Sequence, residues 1–213
     1  MVGTATRTTA KRERIARRQV DKFGERRAEL AAAALHTIAE LGYARTSLRE
    51  IAQNSEFSHG VLHYYFSDKV DLLTHAVRQY EVVCVTRYDD IVAGAGSADE
   101  LRSGFATAMA GTLRADAQLH RLWYDLRNQS LFEESFREDV LEIDQRREQM
   151  IWNVVRRYAE LARSDVAASP RAAYACLDGL FQQALLRRLA GHDDAVANLR
   201  ADVEQVLDTF LAG

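Results

Sequence analysis

The chain has 213 residues, 47% of them hydrophobic and 28% charged, with a single proline, which is the balance of a helix-rich globular protein and not of a disordered chain. Cys84 and Cys176 are too few for a disulfide framework or zinc knuckle; no run of 18 apolar residues could span a bilayer, and the basic N-terminus has no apolar stretch of a secretory leader, so a cytoplasmic protein is expected. The net charge of −3 is uneven, with 12 Lys+Arg against 8 Asp+Glu in residues 1–69 and 16 against 23 in residues 70–213, so the positive end is the one suited to a polyanion.

In chain order, residues 1–21 carry Arg7, Lys11, Arg12, Arg14, Arg17 and Arg18 and are read as a basic flexible arm that seeks phosphate. From Lys22 to Leu41 apolar residues recur at three and four, and Gly42 supplies a stop, which predicts a first helix. Ser47-Leu48-Arg49-Glu50 has the form of a capping box and opens a short second helix, which must end near Asn54 because Ser58 can cap a third. Val61, Leu62, Tyr65 and Phe66 give that third helix its apolar side, with core packing expected for the last two, and Ser67-Asp68 caps a fourth predicted to reach Ile91. The Gly- and Ala-rich stretch 93–97 is the expected linker. Beyond it, Ser97 to Glu100 repeats the capping-box pattern, helices follow over about 98–113, 118–131 and from Glu133, and Ser169-Pro170 opens a segment that is apolar nearly all round, before an amphipathic terminal helix. No period-two stretch stands out, so the fold class is all-α.

Two short helices separated by a tight turn, the second with a free polar side, form a helix-turn-helix suited to the major groove. The run from Gly42 to Leu73, with Gly42-Tyr43, Thr46-Ser47, Ile51-Ala52, Ser58, Tyr65-Phe66 and Lys69 at matching spacing, resembles the signature of the TetR/AcrR family of bacterial regulators. The resemblance implies that Thr46, Ser47, His63, Tyr64 and Lys69 hold phosphates. It also implies that Ser58, His59, Gly60 and Val61 read bases, with Arg49 or Arg45 as an added reader. Two positions depart from the family pattern: Glu56 stands where a turn glycine is usual and would be strained if left-handed, and His63 stands where a tyrosine is frequent. His59 and His63, like Asp71 and His75, share a four-residue spacing compatible with a metal, but no third and fourth ligand follow, and neither metal nor cofactor is expected.

The same resemblance implies an N-terminal three-helix domain, residues 22–68, joined through the fourth helix to a larger domain, 69–213, that binds a small effector and forms a homodimer. The pairing helices would be about 170–190 and 193–212, and a twofold dimer calls for a pseudo-palindromic double-stranded operator. Phe105, Met109, Trp123, Tyr124, Trp152 and Phe181 are the candidate effector-pocket residues, with Arg127, Asn128 and His120 as polar anchors, although for each aromatic ordinary core packing is the preferred reading. The carboxy half resembles loosely the choline-responsive subgroup, in which case Trp123, Tyr124 and Trp152 would cage a cation. The function expected is a ligand-released repressor. An all-helical enzyme is the first alternative, although no catalytic motif is visible; an architectural protein that binds DNA without sequence preference is the second.

Overall fold

The computed structural model describes residues 3–43 and 46–212, and the chain divides into two compact units, Met1–Gln79 and Tyr80–Gly213. Among the described residues there are ten α-helices and no strand, only an isolated antiparallel bridge between Val166 and Leu211.

The first unit is built on α1 (Gly3–Leu41), α2 (Leu48–Gln53), α3 (His59–Tyr65) and the start of α4 (Lys69–Cys84). α1 takes in the backbone of most of the stretch expected to be an arm, whose side chains lie outside the described residues, as does Arg45. Leu30, Ala31, Ala34 and Ile38 of α1 are buried with Leu48, Ile51, Leu62, Phe66, Leu72 and Leu73, a small core around which three short elements are pinned. The ends are satisfied as the caps predict: Ser47 Oγ accepts from Glu50 N at 3.2 Å, Ser58 Oγ from Val61 N at 3.3 Å, and Gly42 takes the left-handed φ of 80° that ends α1. Arg27 ties α1 to α4 by an ion pair with Asp71, whose other oxygen accepts from Ser67 N and Oγ.

In the second unit α4 stops at Cys84 instead of running on to Ile91. Residues 85–88 form a turn, with Thr86 Oγ1 bonded back to the carbonyls of Val82 and Val83, and the turn aims Arg87 at Asp116 (2.7 Å) and Tyr88 at the Phe105 ring (centroids 4.8 Å). After α5 (Asp89–Gly94) come α6 (Ala98–Ala115), α7 (Ala117–Gln129), a 3₁₀ turn at Glu134–Phe136, α8 (Arg137–Ala162), α9 (Pro170–Leu189) and α10 (Ala195–Asp208). α6 packs on α8 and α10, and α9 on α8, α10 and α7. The stretch 93–97 is no boundary: it lies inside this unit, its Ala95 is buried, and its carbonyl accepts from Arg157 at 3.2 Å, while the division between the units falls within α4.

Candidate functional site

Within the first unit, the turn from Asn54 to Phe57 sets the angle between α2 and α3. Asn54 closes it, its N–H bonding to Glu50 O and Ile51 O and its Nδ2 to Glu50 O at 2.9 Å, and Thr37 Oγ1 holds the Asn54 carbonyl from α1 at 3.2 Å. Glu56 is exposed and carries no positive φ; among described non-glycine residues only Arg163 does. The left-handed backbone that would strain Glu56 is therefore not adopted, because the closing bonds come from Asn54.

Arg49, Ser58 and His59 come together along one shallow groove, with Gln53 and Phe57 completing its walls. Gly60 is exposed beside it, and Val61 is half-buried. His63 packs edge-on against His59 (centroids 4.3 Å), and Tyr64 is 72% exposed with Phe23 and Tyr65 as ring neighbours. Tyr65 lies on Phe23 at 4.8 Å and Phe66 is buried, the packing roles expected of both.

Two of the residues expected at phosphates also hold the fold. Thr46 is buried, its hydroxyl donating to Gly42 O at 2.5 Å, so it is turned away from solvent. Lys69 is half-buried, its Nζ donating to Tyr43 O at 3.1 Å and lying 4.0 Å from the centre of the Tyr43 ring, which fastens the start of α4 to the end of α1.

A second candidate site lies inside the second unit, where a narrow cavity is walled by Cys84 and the 85–88 turn, Met109 and Thr112 of α6, His120 and Tyr124 of α7, Arg147, Met150 and Ile151 of α8, and Tyr174, Asp178 and Phe181 of α9. Of the expected pocket residues, Met109, Tyr124 and Phe181 line it, as does His120. Phe105 is fully buried behind Tyr88, and Arg127 sits outside the lining, paired with Asp178 (2.5 Å) and Asp144 (3.4 Å). Asn128 faces a different groove between α7 and α9, together with Arg121, Gln183, Leu186 and Leu189. Of the expected cation cage only Tyr124 lines this cavity, its hydroxyl donating to Asp178 at 2.9 Å; the ring of Trp123 is covered by Arg147 at 4.3 Å, and neither it nor the half-buried Trp152 is in the lining.

Buried charge organises the walls. Glu81 and Arg147, both essentially inaccessible, pair through Nε at 3.0 Å and through Nη2. Arg87 holds Asp116 and the Tyr80 hydroxyl, and Tyr174 donates to Asp144 at 2.6 Å. Burial pushes the Tyr88 phenol up to about 12 and raises the Cys84 thiol, so neither ionises in the neutral range. Burial, reinforced by Arg147 and Arg87, drives His120 well below its ordinary value and keeps it neutral. Sequence reasoning missed Arg87, Tyr88, Thr112, Arg147 and Asp178. The signal was present for two of them, since Arg147 occupies an apolar-stripe position between Ile143 and Ile151, and Asp178 one between Tyr174 and Phe181.

The chain matches the sequence model for bacterial regulatory proteins of the tetR family over residues 30–76. It is 43% identical over 53 residues to the HTH-type transcriptional regulator BetI of Paraburkholderia phytofirmans, a match that spans 25% of this chain and 27% of that one. It is 30% identical over 192 residues to the BetI of Burkholderia thailandensis, covering 88% of this chain and 94% of the relative. In architecture it is similar to a putative transcriptional regulator of Saccharomonospora viridis solved in complex with choline, with a TM-score of 0.67, 19% identity, and 89% and 99% of the two chains covered.

Proposed function

Because the chain belongs to the tetR family of bacterial transcriptional regulators, we propose that it represses transcription in the cytoplasm as a homodimer, releasing a pseudo-palindromic operator when a small effector enters the cavity of the second unit. Its relatives are named as transcriptional regulators, so the enzyme reading has no support.

The observation that carries the DNA reading is the shared groove of Arg49, Ser58 and His59 on an otherwise exposed α2–turn–α3 surface. Guanidinium and imidazole groups there would read base edges, Gly60 would allow close approach, and Val61 would add an apolar contact. Arg45 belongs to the same proposal. Ser47, His63 and Tyr64 are exposed, and with the remaining donors of Lys69 they would hold phosphates and fix the register. Thr46 contributes through the fold of the turn.

The dimer would form through α9 and α10. α9 has Leu186 70% exposed and Leu189 43% exposed on its outer face, next to the open groove that contains Asn128, and such a face supports a twofold partner. Two recognition helices about 34 Å apart then fit one face of the duplex. The experiment is competition: binding to the promoter region beside its own gene must survive an excess of random duplex, and equal loss of both complexes would leave only an architectural, sequence-blind protein.

A further inference from the structure

His120 is the one described histidine that lines the cavity, it is 5% exposed, and neither of its ring nitrogens has a protein partner. Its neighbours are rings, Phe181 at 4.5 Å and Tyr80 at 6.3 Å, which press on it without satisfying it. A second unpartnered polar atom lies in the same walls: Arg87 spends Nη2 on Asp116 and Tyr80, while its Nη1 is buried and bonded to nothing in the protein. Buried polar groups in folded proteins are nearly always hydrogen-bonded, and stranding one is costly, so two such groups in one cavity point to a ligand that completes them.

We propose that the cavity takes a small, largely apolar ligand through a single uncharged oxygen, a hydroxyl or carbonyl, held by His120 together with Nη1 of Arg87, which deepens the effector reading above and rests on it. A neutral imidazole offers one N–H and one bare nitrogen. A hydroxyl would donate to the bare nitrogen and accept from Arg87; a carbonyl would accept from both N–H groups. The charges already present disfavour an ionised head. Arg87 pairs with Asp116, Arg147 with Glu81, and Arg127 with both Asp178 and Asp144, three cations against four carboxylates, so an added carboxylate would meet no uncompensated cation; the surplus carboxylate lies at Arg127, and an ammonium at the His120 end would face Arg87. The ligand's body has apolar surface to rest on in Ile151, Phe181, Met109 and Met150, and the two methionines let a narrow cavity widen around it.

The test uses three probes of one size and different heads, benzyl alcohol, toluene and benzoate, titrated into the full-length protein by calorimetry. The ring nitrogens of His120 are followed by ¹⁵N NMR in the same samples. Benzyl alcohol should bind at least about tenfold more tightly than the other two and shift the His120 nitrogen signals, as expected for a buried hydrogen bond gained. His120→Leu removes two stranded polar atoms without altering a charge pair, so it should fold, and it should erase the preference for the alcohol. Equal or tighter binding of toluene or benzoate, an unshifted His120, a preference that survives in His120→Leu, or no binding of any probe would overturn the proposal. Operator binding by the ligand-free wild type and His120→Leu proteins, measured in parallel, separates this outcome from the regulator reading: loss of sequence-selective DNA binding defeats that reading, and the probe titrations decide the oxygen site.

Discussion

The Glu81–Arg147 pair is the feature on which a single atom has most leverage. Both side chains are buried, and Arg147 also covers the ring of Trp123, so removing one partner strands the other in a low-dielectric interior. Glu81→Ala should cost about 3–5 kcal/mol in urea unfolding, and the double change Glu81→Met with Arg147→Met should recover most of it, because two matched apolar side chains need no hydration. His120 makes a second prediction with a definite sign. Its folded-state pKa lies below its unfolded value, so the native state binds fewer protons, and stability falls as pH drops below about 6.5. His75 is shifted in the same direction by burial and Arg27 and contributes with the same sign. Between about pH 7.5 and 5.5 the wild type should lose on the order of 1 kcal/mol through His120, and His120→Leu should lose measurably less.

At the scale of elements, the recognition helix α3 is only seven residues long and depends on its ends and its neighbours rather than on its own propensity. Ser58 caps it, Leu62 is its one fully buried anchor, and Tyr65 lies on Phe23 of α1. Gly60 is the informative position. A methyl group added there would meet nothing within 4 Å, and the backbone is not left-handed, so the glycine is not required by the free protein. Gly60→Ala should raise stability by about 0.5 kcal/mol, seen as a higher melting temperature. It should also weaken operator binding by roughly tenfold if the backbone approaches a base closely at that point. A gain in stability with unchanged operator affinity would remove Gly60 from the reading surface.

For the whole molecule, the prediction concerns assembly. An exposed leucine pair on a helix whose other face is buried against α8 and α10 is more apolar surface than one protomer has reason to display. Leu186→Glu should leave the folded protomer intact, since the side chain is 70% exposed, and should convert a dimer into a monomer by analytical ultracentrifugation. Operator affinity should fall with it, because both half-sites would no longer be engaged at once. A dimer that survives Leu186→Glu would move the interface elsewhere.

Local chemistry was readable without coordinates. Helix starts at Leu48, His59, Ala98 and Pro170 follow from serine caps, the stop at Gly42 from a residue that tolerates positive φ, and the helix-turn-helix from the spacing between two caps. These depend on residues within four positions of one another, and a linear chain displays them directly. Contacts between distant segments were not readable. That Thr46 bonds to Gly42 O and Lys69 to Tyr43 O is set by the fold, and Trp123 looked like a cation platform until Arg147, 24 positions on, occupied its face. The interior charges came closest to the border: Glu81, Arg147 and Asp178 each interrupt an apolar stripe, which marks a buried polar group, yet which acid meets which base depends on how the helices pack. That packing, and with it the unpartnered imidazole of His120 in the cavity wall, is a property of the assembled helices, because an inward-facing side chain finds its partners only once distant segments have closed around it.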